Sequence, residues 1–146
     1  MEKTVIRMKK LDERAIVPTL GTPYAAGADL YTVEGATIPS GGTAWLGTGI
    51  CIEIPEGFVG LIFARSSLGT KRGLAPANKV GVVDSDYRGE IKVVLHNHSD
   101  QTQTVEQGER IAQLVVVPYL AMAFEEVDEL DETGRGTKGF GSTGKF

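Results

Sequence analysis

The sequence predicts an all-β fold, a jelly-roll-like barrel or sandwich with little helix and a flexible glycine-rich C-terminal tail. Three observations carry this expectation. Nineteen of the 146 residues are glycine, well above the roughly 7% of average usage, and glycine inside a helix costs about 1 kcal/mol relative to alanine. Short runs of β-branched residues alternate with period two between turn signals. Apolar residues make up 41% of the chain and the net charge is only −4, so a core is affordable and global disorder is not expected. The length suits one core, and the absence of a glycine period of three excludes collagen.

The elements follow in order. Val5–Met8 reads as a first strand and Asp29–Val33 as a second, ended near Gly35. Ala44–Ile54 is a long strand in which Gly47 and Gly49 predict a bulge or bend. Phe58–Phe63 follows the turn Pro55-Glu56-Gly57, and Ser66–Lys71 has room for one short helical turn. Val80–Asp84 and Glu90–Asn97 flank Ser85–Gly89 and predict a hairpin with a loop of about five residues. Thr102–Val105 and Arg110–Val117 close the series, because Pro118 cannot sit inside a central strand. From Thr133 onward five glycines fall in 14 residues, which divides the chain into a β domain, 1–132, and a tail, 133–146.

Composition narrows the function classes. The lone Cys51 cannot form an intramolecular disulfide, which fits a reducing, cytoplasmic location. Met1–Lys10 lacks the unbroken apolar run of a signal peptide. The longest apolar stretch, Ile111–Phe124, is 14 residues interrupted by Gln113 and Pro118, short of the about 20 that span a bilayer. No membrane association is expected. Six of the 19 acids lie between Glu125 and Glu132, whereas the tail carries Arg135, Lys138 and Lys145 and no acid. The overall balance argues against stable nucleic-acid binding, which needs a basic face, and leaves a small anion gripped by the tail. Arg135, Phe140, Ser142 and Thr143, interleaved with glycines, offer a guanidinium, an aromatic face, hydroxyls and approachable N–H groups, the donors a phosphate and a base require.

Gly139–Lys145 nearly matches the Walker A pattern, but Phe146 stands where the magnesium-binding hydroxyl belongs. Asp84-Ser85-Asp86-Tyr87-Arg88-Gly89 sets two carboxylates beside an aromatic and a guanidinium; read alone it is equally an acidic turn. Ala64–Lys71 gathers hydroxyls and cations after an apolar strand, and is equally a capped turn. His96 and His98 would share a strand face, with no third ligand evident for zinc.

Taken together, these clusters resemble the five ordered motifs of the trimeric deoxyuridine triphosphate pyrophosphatases (dUTPases). They are Ala25–Leu30, Ala64–Gly69, Asn78–Gly89, Gly108–Leu114 and Arg135–Gly144, spanning nearly the whole chain in the family's order. The resemblance implies magnesium-dependent hydrolysis of dUTP to dUMP and pyrophosphate, which supplies dUMP for thymidylate synthesis and keeps uracil out of DNA. It implies a homotrimer with three shared active sites, one subunit's tail closing over a neighbour's pocket. Asp84 would be the base that activates water for attack on the α-phosphorus, and Asp29 would hold Mg2+ through water. Arg65, Ser66, Ser67, Gln113, Arg135, Gly141, Ser142 and Thr143 would line the phosphates. Uracil would lie between Val82-Val83-Asp84 and Ile91-Lys92, read by main-chain groups, with Asn78 adding an amide contact, Tyr87 under the deoxyribose and Phe140 capping the ring.

This sequence departs from the family pattern at Lys138, where glycine is usual, and at Ala64 and Ser67, where proline and glycine are common. Two other functions fit the same scaffold. A dCTP deaminase needs an acid/base group for attack on the cytosine ring, and the stacking position of Tyr87 argues against it. A non-catalytic nucleotide sensor would have decayed motifs, and these are intact.

Overall fold

A computed structural model describes all 146 residues. Twelve strands and one helix follow in order: β1 (Arg7–Lys10), β2 (Thr19–Leu20), β3 (Ala28–Tyr31), β4 (Ala36–Ile38), β5 (Thr43–Gly47), β6 (Ile50–Glu53), β7 (Phe58–Phe63), α1 (Ser66–Arg72), β8 (Leu74–Pro76), β9 (Gly81–Val83), β10 (Lys92–Asn97), β11 (Gln103–Val105) and β12 (Arg110–Pro118). The largest sheet has the order β2-β3-β12-β7-β9, a second β5-β10-β8, and two pairs, β1-β6 and β11-β4, complete the set. Every pairing is antiparallel.

All four sheets contribute to one core. Leu30, Ile62, Ile111 and Leu114 enter from the largest sheet, Leu46, Leu74, Val93 and Leu95 from the second, and Ile50, Ile52, Ile38 and Val105 from the two pairs. Alternation is visible along β10, where Val93, Leu95 and Asn97 are buried and Lys92 is exposed. Asn97 is the polar member of that row, and its Nδ2 donates to the carbonyls of Ile38 and Gln101, so burial leaves it satisfied.

The predicted bend in Ala44–Ile54 is a full break. Gly49 adopts φ +69°, and a Cβ there would lie 2.9–3.0 Å from Val33, Ala15 and Asp12 side chains. The chain therefore leaves β5 in one sheet and enters β6 in another. The predicted hairpin is corrected as well. β9 pairs with β7, and β10 with β5 and β8, so no ladder joins the two arms across Ser85–Gly89. Outward pairing won because both arms feed opposite sheets of one barrel. β9 consequently forms an edge of the largest sheet.

Regular structure ends at Pro118, the last residue of β12. Residues 119–146 form no strand or helix, and Tyr119, Leu120, Met122, Phe124, Val127 and Leu130 are exposed. No helix is long and apolar enough to cross a membrane.

Candidate active site

The residues singled out from the sequence fall into three separate groups. The first is built on the β3, β7 and β12 ends of the largest sheet. Gln113 stands opposite both Asp29 on β3 and Phe63 on β7, which brings the chain leaving β7 at Ala64 and Arg65 beside Asp29. Arg65 donates through Nε to Asp29 Oδ1 at 3.0 Å, and Gln113 donates through Nε2 to the Ala64 carbonyl at 2.9 Å. Ser66 and Ser67 open α1, whose first turn holds no acid and whose cap makes no side-chain hydrogen bond. An ion pair from Arg72 to Glu109 ties the far end of α1 to the connection before β12.

Arg110 joins this group, though sequence reasoning assigned it no role. Its Nη1 donates to Asp29 Oδ2 at 3.4 Å, and its guanidinium lies over the Tyr31 ring, 5.8 Å from the centroid. A signal was present in the sequence: the adjacent apolar pair Ile111-Ala112 interrupts strand alternation, the mark of a bulge. The register of β12 against β3 does shift between Arg110 and Ala112.

The second group lies at the opposite end of β7. Val83 pairs with Gly60, so Asp84 continues the register toward Val59. Arg65 is six residues farther along, which at about 3.3 Å per residue puts the two on the order of 20 Å apart. Asp84 is exposed, and its carboxylate makes no hydrogen bond or ion pair within the chain. It lines a groove of about 1180 Å³ with Val82, Asp86, Phe58, Tyr119 and Met122, and no residue of the first group reaches that groove. Tyr87 donates its hydroxyl to the Glu90 carbonyl at 2.9 Å. Its ring covers Gly89, where a Cβ would lie 2.4 Å from the hydroxyl and force the Tyr87 ring to shift. Val83 is buried and offers the outside only its main chain, while Lys92 is exposed. The Asn78 amide lies beside Gly81, at the other end of β9 from Asp84.

The third group is the tail. Arg135, Phe140, Gly141, Ser142 and Thr143 are all exposed, Phe140 fully so. Their hydrogen bonds are local: Arg135 Nε to the Lys138 carbonyl, Gly136 N to Thr133 Oγ1, and Ser142 N to the Gly139 carbonyl.

For a metal, no three His, Cys, Asp or Glu side chains gather closely enough to form a protein cage. The His96 and His98 rings lie 6.3 Å apart. Asp29 has a guanidinium on each oxygen, yet each carboxylate oxygen keeps a second lone pair. That donor set suits an ion held through its own waters and delivered with substrate phosphates, as magnesium commonly is.

The chain matches the dUTPase family model over residues 13–144. It is 45% identical over 140 residues to the deoxyuridine 5'-triphosphate nucleotidohydrolase of Nautilia profundicola, covering 96% of this chain and 99% of that protein. Against the Candida albicans protein of the same name the identity is 48% over 131 residues, with 88% and 81% covered. The solved structure of Staphylococcus bacteriophage 80alpha dUTPase with dUPNHPP is similar with a TM-score of 0.91 at 28% identity, covering 98% of this chain and 100% of that one.

Proposed function

The chain belongs to the dUTPase family and hydrolyses dUTP to dUMP and pyrophosphate; from that premise we propose that three copies assemble with active sites shared at their junctions and that Asp84 supplies the base. The observation that carries the proposal is the distance within one chain. Asp84 and Arg65 stand on the order of 20 Å apart along β7 at about 3.3 Å per residue, too far to act on one triphosphate. A neighbouring copy brings the two groups together, and trimeric assembly is typical of the family. The tail, bonded only to itself, is free to close over such a junction. In this reading the chain comprises a β domain, 1–132, and a closing tail, 133–146. The lone Cys51 supports a cytoplasmic place of action.

Uracil is read by main-chain groups of Val82–Asp84 and Lys92, which the outward pairing of β9 and β10 supports; Ile91 only backs this arm, since its N–H donates to the Ile50 carbonyl and its carbonyl accepts from Thr48. The Asn78 amide adds a contact, and Tyr87, held by its bond to Glu90, lies under the deoxyribose. Arg65, Ser66, Ser67 and Gln113 receive the phosphates, and Arg65 has both Nη groups uncommitted. Arg135, Gly141, Ser142 and Thr143 enclose them from above while Phe140 covers the base. Asp29 would hold a magnesium ion through the ion's own waters, and that ion would supply charge neutralisation of the phosphates.

The chemistry then needs little of the protein. The Asp84 carboxylate takes a proton from water as its oxygen attacks the α-phosphorus in line. The bond to the bridging oxygen breaks, and pyrophosphate leaves with that electron pair. Binding of dUPNHPP to the phage relative supports a pocket for the intact triphosphate.

Selectivity against thymine cannot rest on attraction, since one methyl is worth only about 1–3 kcal/mol; a main-chain cleft with no spare room excludes it by clash. A panel of dUTP, dTTP, dCTP and UTP with magnesium tests the assignment. Pyrophosphate release is expected from dUTP alone, and ammonia release from dCTP would replace this reading with the deaminase. Light scattering that gave a monomer would remove the shared site.

A further inference from the structure

Resting on the reading of Arg65 as a phosphate ligand, we propose that Arg110 and Tyr31 form a strut that positions Asp29 and, through it, Arg65. The bulge in β12 is its structural origin. Asp29 and Tyr31 are two apart on β3 and therefore share a face. Their partners on β12 are Gln113 and Arg110, which are three apart and would point to opposite faces of an unbroken strand. The extra residue between Arg110 and Ala112 returns both to one face, and both Ile111 and Ala112 are fully buried in consequence. Bulges next to active sites commonly re-aim a side chain in this way.

The re-aimed guanidinium is held from two sides. The Tyr31 ring lies beneath it within cation–π range, and Tyr31 is itself tethered, its hydroxyl 2.6 Å from Thr19 Oγ1. Arg110 bonds the Oδ2 of Asp29, and Arg65 bonds the Oδ1 through Nε. Held by Nε alone, Arg65 presents two Nη groups to an anion in a fixed orientation. Asp29 thus has a second duty beside any metal-bound water: it aims a guanidinium. Arg110 needs no contact with the nucleotide to matter, because a carboxylate released on one side rotates and takes Arg65 with it. Lysine at position 110 keeps the charge but not the planar group that stacks and bonds at once.

The experiment compares steady-state dUTP hydrolysis, oligomer mass and melting temperature for the full-length protein and its Arg110→Gln, Arg110→Lys, Tyr31→Leu and Tyr31→Phe variants. A misplacement of about 1 Å at a catalytic site costs up to about 100-fold in rate. We expect kcat to fall roughly 10- to 100-fold in Arg110→Gln, less in Arg110→Lys, about three- to tenfold in Tyr31→Leu and about twofold in Tyr31→Phe. KM should change by less than about threefold, with mass and melting temperature preserved. The double variant Arg110→Gln/Tyr31→Leu should be no slower than Arg110→Gln alone, since one strut is lost once. Unchanged kcat in Arg110→Gln, multiplying losses in the double variant, or kcat losses that track melting temperature would each overturn the proposal. An Arg65→Gln variant with parental kinetics would instead remove the reading beneath it, whatever Arg110 does.

Discussion

The Asp29 end of the largest sheet and the tail from Thr133 both carry residues proposed to receive phosphate, and they commit their polar groups in opposite ways. At the sheet end, side chains from β3, β12 and the chain leaving β7 bond one another across long sequence separations: Arg65 to Asp29, Arg110 to Asp29, Gln113 to Ala64. In the tail, no bond spans more than three residues, and Phe140 touches nothing. One region has met the cost of its order during folding; in the proposed closure the other would meet it on binding. Ordering a backbone costs roughly 1–2 kcal/mol per residue, so closure of a 14-residue tail would be a substantial, reversible step that substrate contacts would have to offset.

The sharpest way to break this contrast lies outside both regions, at the proposed base. Asp84→Ala should lower kcat by about 10²–10⁴-fold and leave the melting temperature unchanged, because the carboxylate is exposed and unbonded; retained turnover would remove Asp84 from the mechanism. Next in size is a test of the ordered region. Leu30, fully buried one residue from Asp29, should cost about 2–5 kcal/mol of stability as Leu30→Ala, measured by urea unfolding, and nucleotide affinity should fall with it. A smaller effect is expected in the tail. Phe140→Ala should lose about 1–3 kcal/mol of base stacking, read as weaker binding of an imido analogue of dUTP, with unfolding identical to the parent. A stability loss in that variant would show the tail to be part of the folded body.

The smallest effect is one of pH. Hydrogen bonds from the Arg14 side chain and then its backbone N–H hold the Asp12 carboxyl down at about 2, from an ordinary 3.8. A depressed folded value contributes stability above the unfolded pKa, lost as pH falls from about 3.8 through about 2. Asp12→Asn should therefore melt slightly below the parent at pH 7 and converge with it near pH 2. A gap of equal size at both pH values would refute the linkage.

Much of this was legible in the sequence. Phe58–Phe63 is β7 to the residue, and the helical turn read as Ser66–Lys71 is α1 with Arg72 added. These segments carry their own signal, an apolar run after a turn and a hydroxyl pair before a left-handed glycine at Gly73. β2, β4 and β8 went unread because two or three residues hold no period; Thr19 and Leu20 are a strand only because β3 runs beside them. Residue chemistry singled out the clusters that hold Arg65 and Asp84, and the family resemblance added Asp29, but no motif order reveals that two stand at one end of β7 and the third at the other. Distance along a strand is a property of register, and register follows from the whole barrel. Arg110 was passed over for a related reason: its direction depends on one extra residue in β12.

The separation along β7 has a consequence in genetics. In the proposed shared junction, an allele lacking Asp84 and an allele lacking Arg65 would each be silent alone, since every junction in a homotrimer of either would miss one half. Expressed together they would assemble mixed trimers, and some junctions would then draw an intact Asp84 from one product and an intact Arg65 from the other. Two null alleles of this gene should complement one another, whereas two alleles damaged in the same half should not.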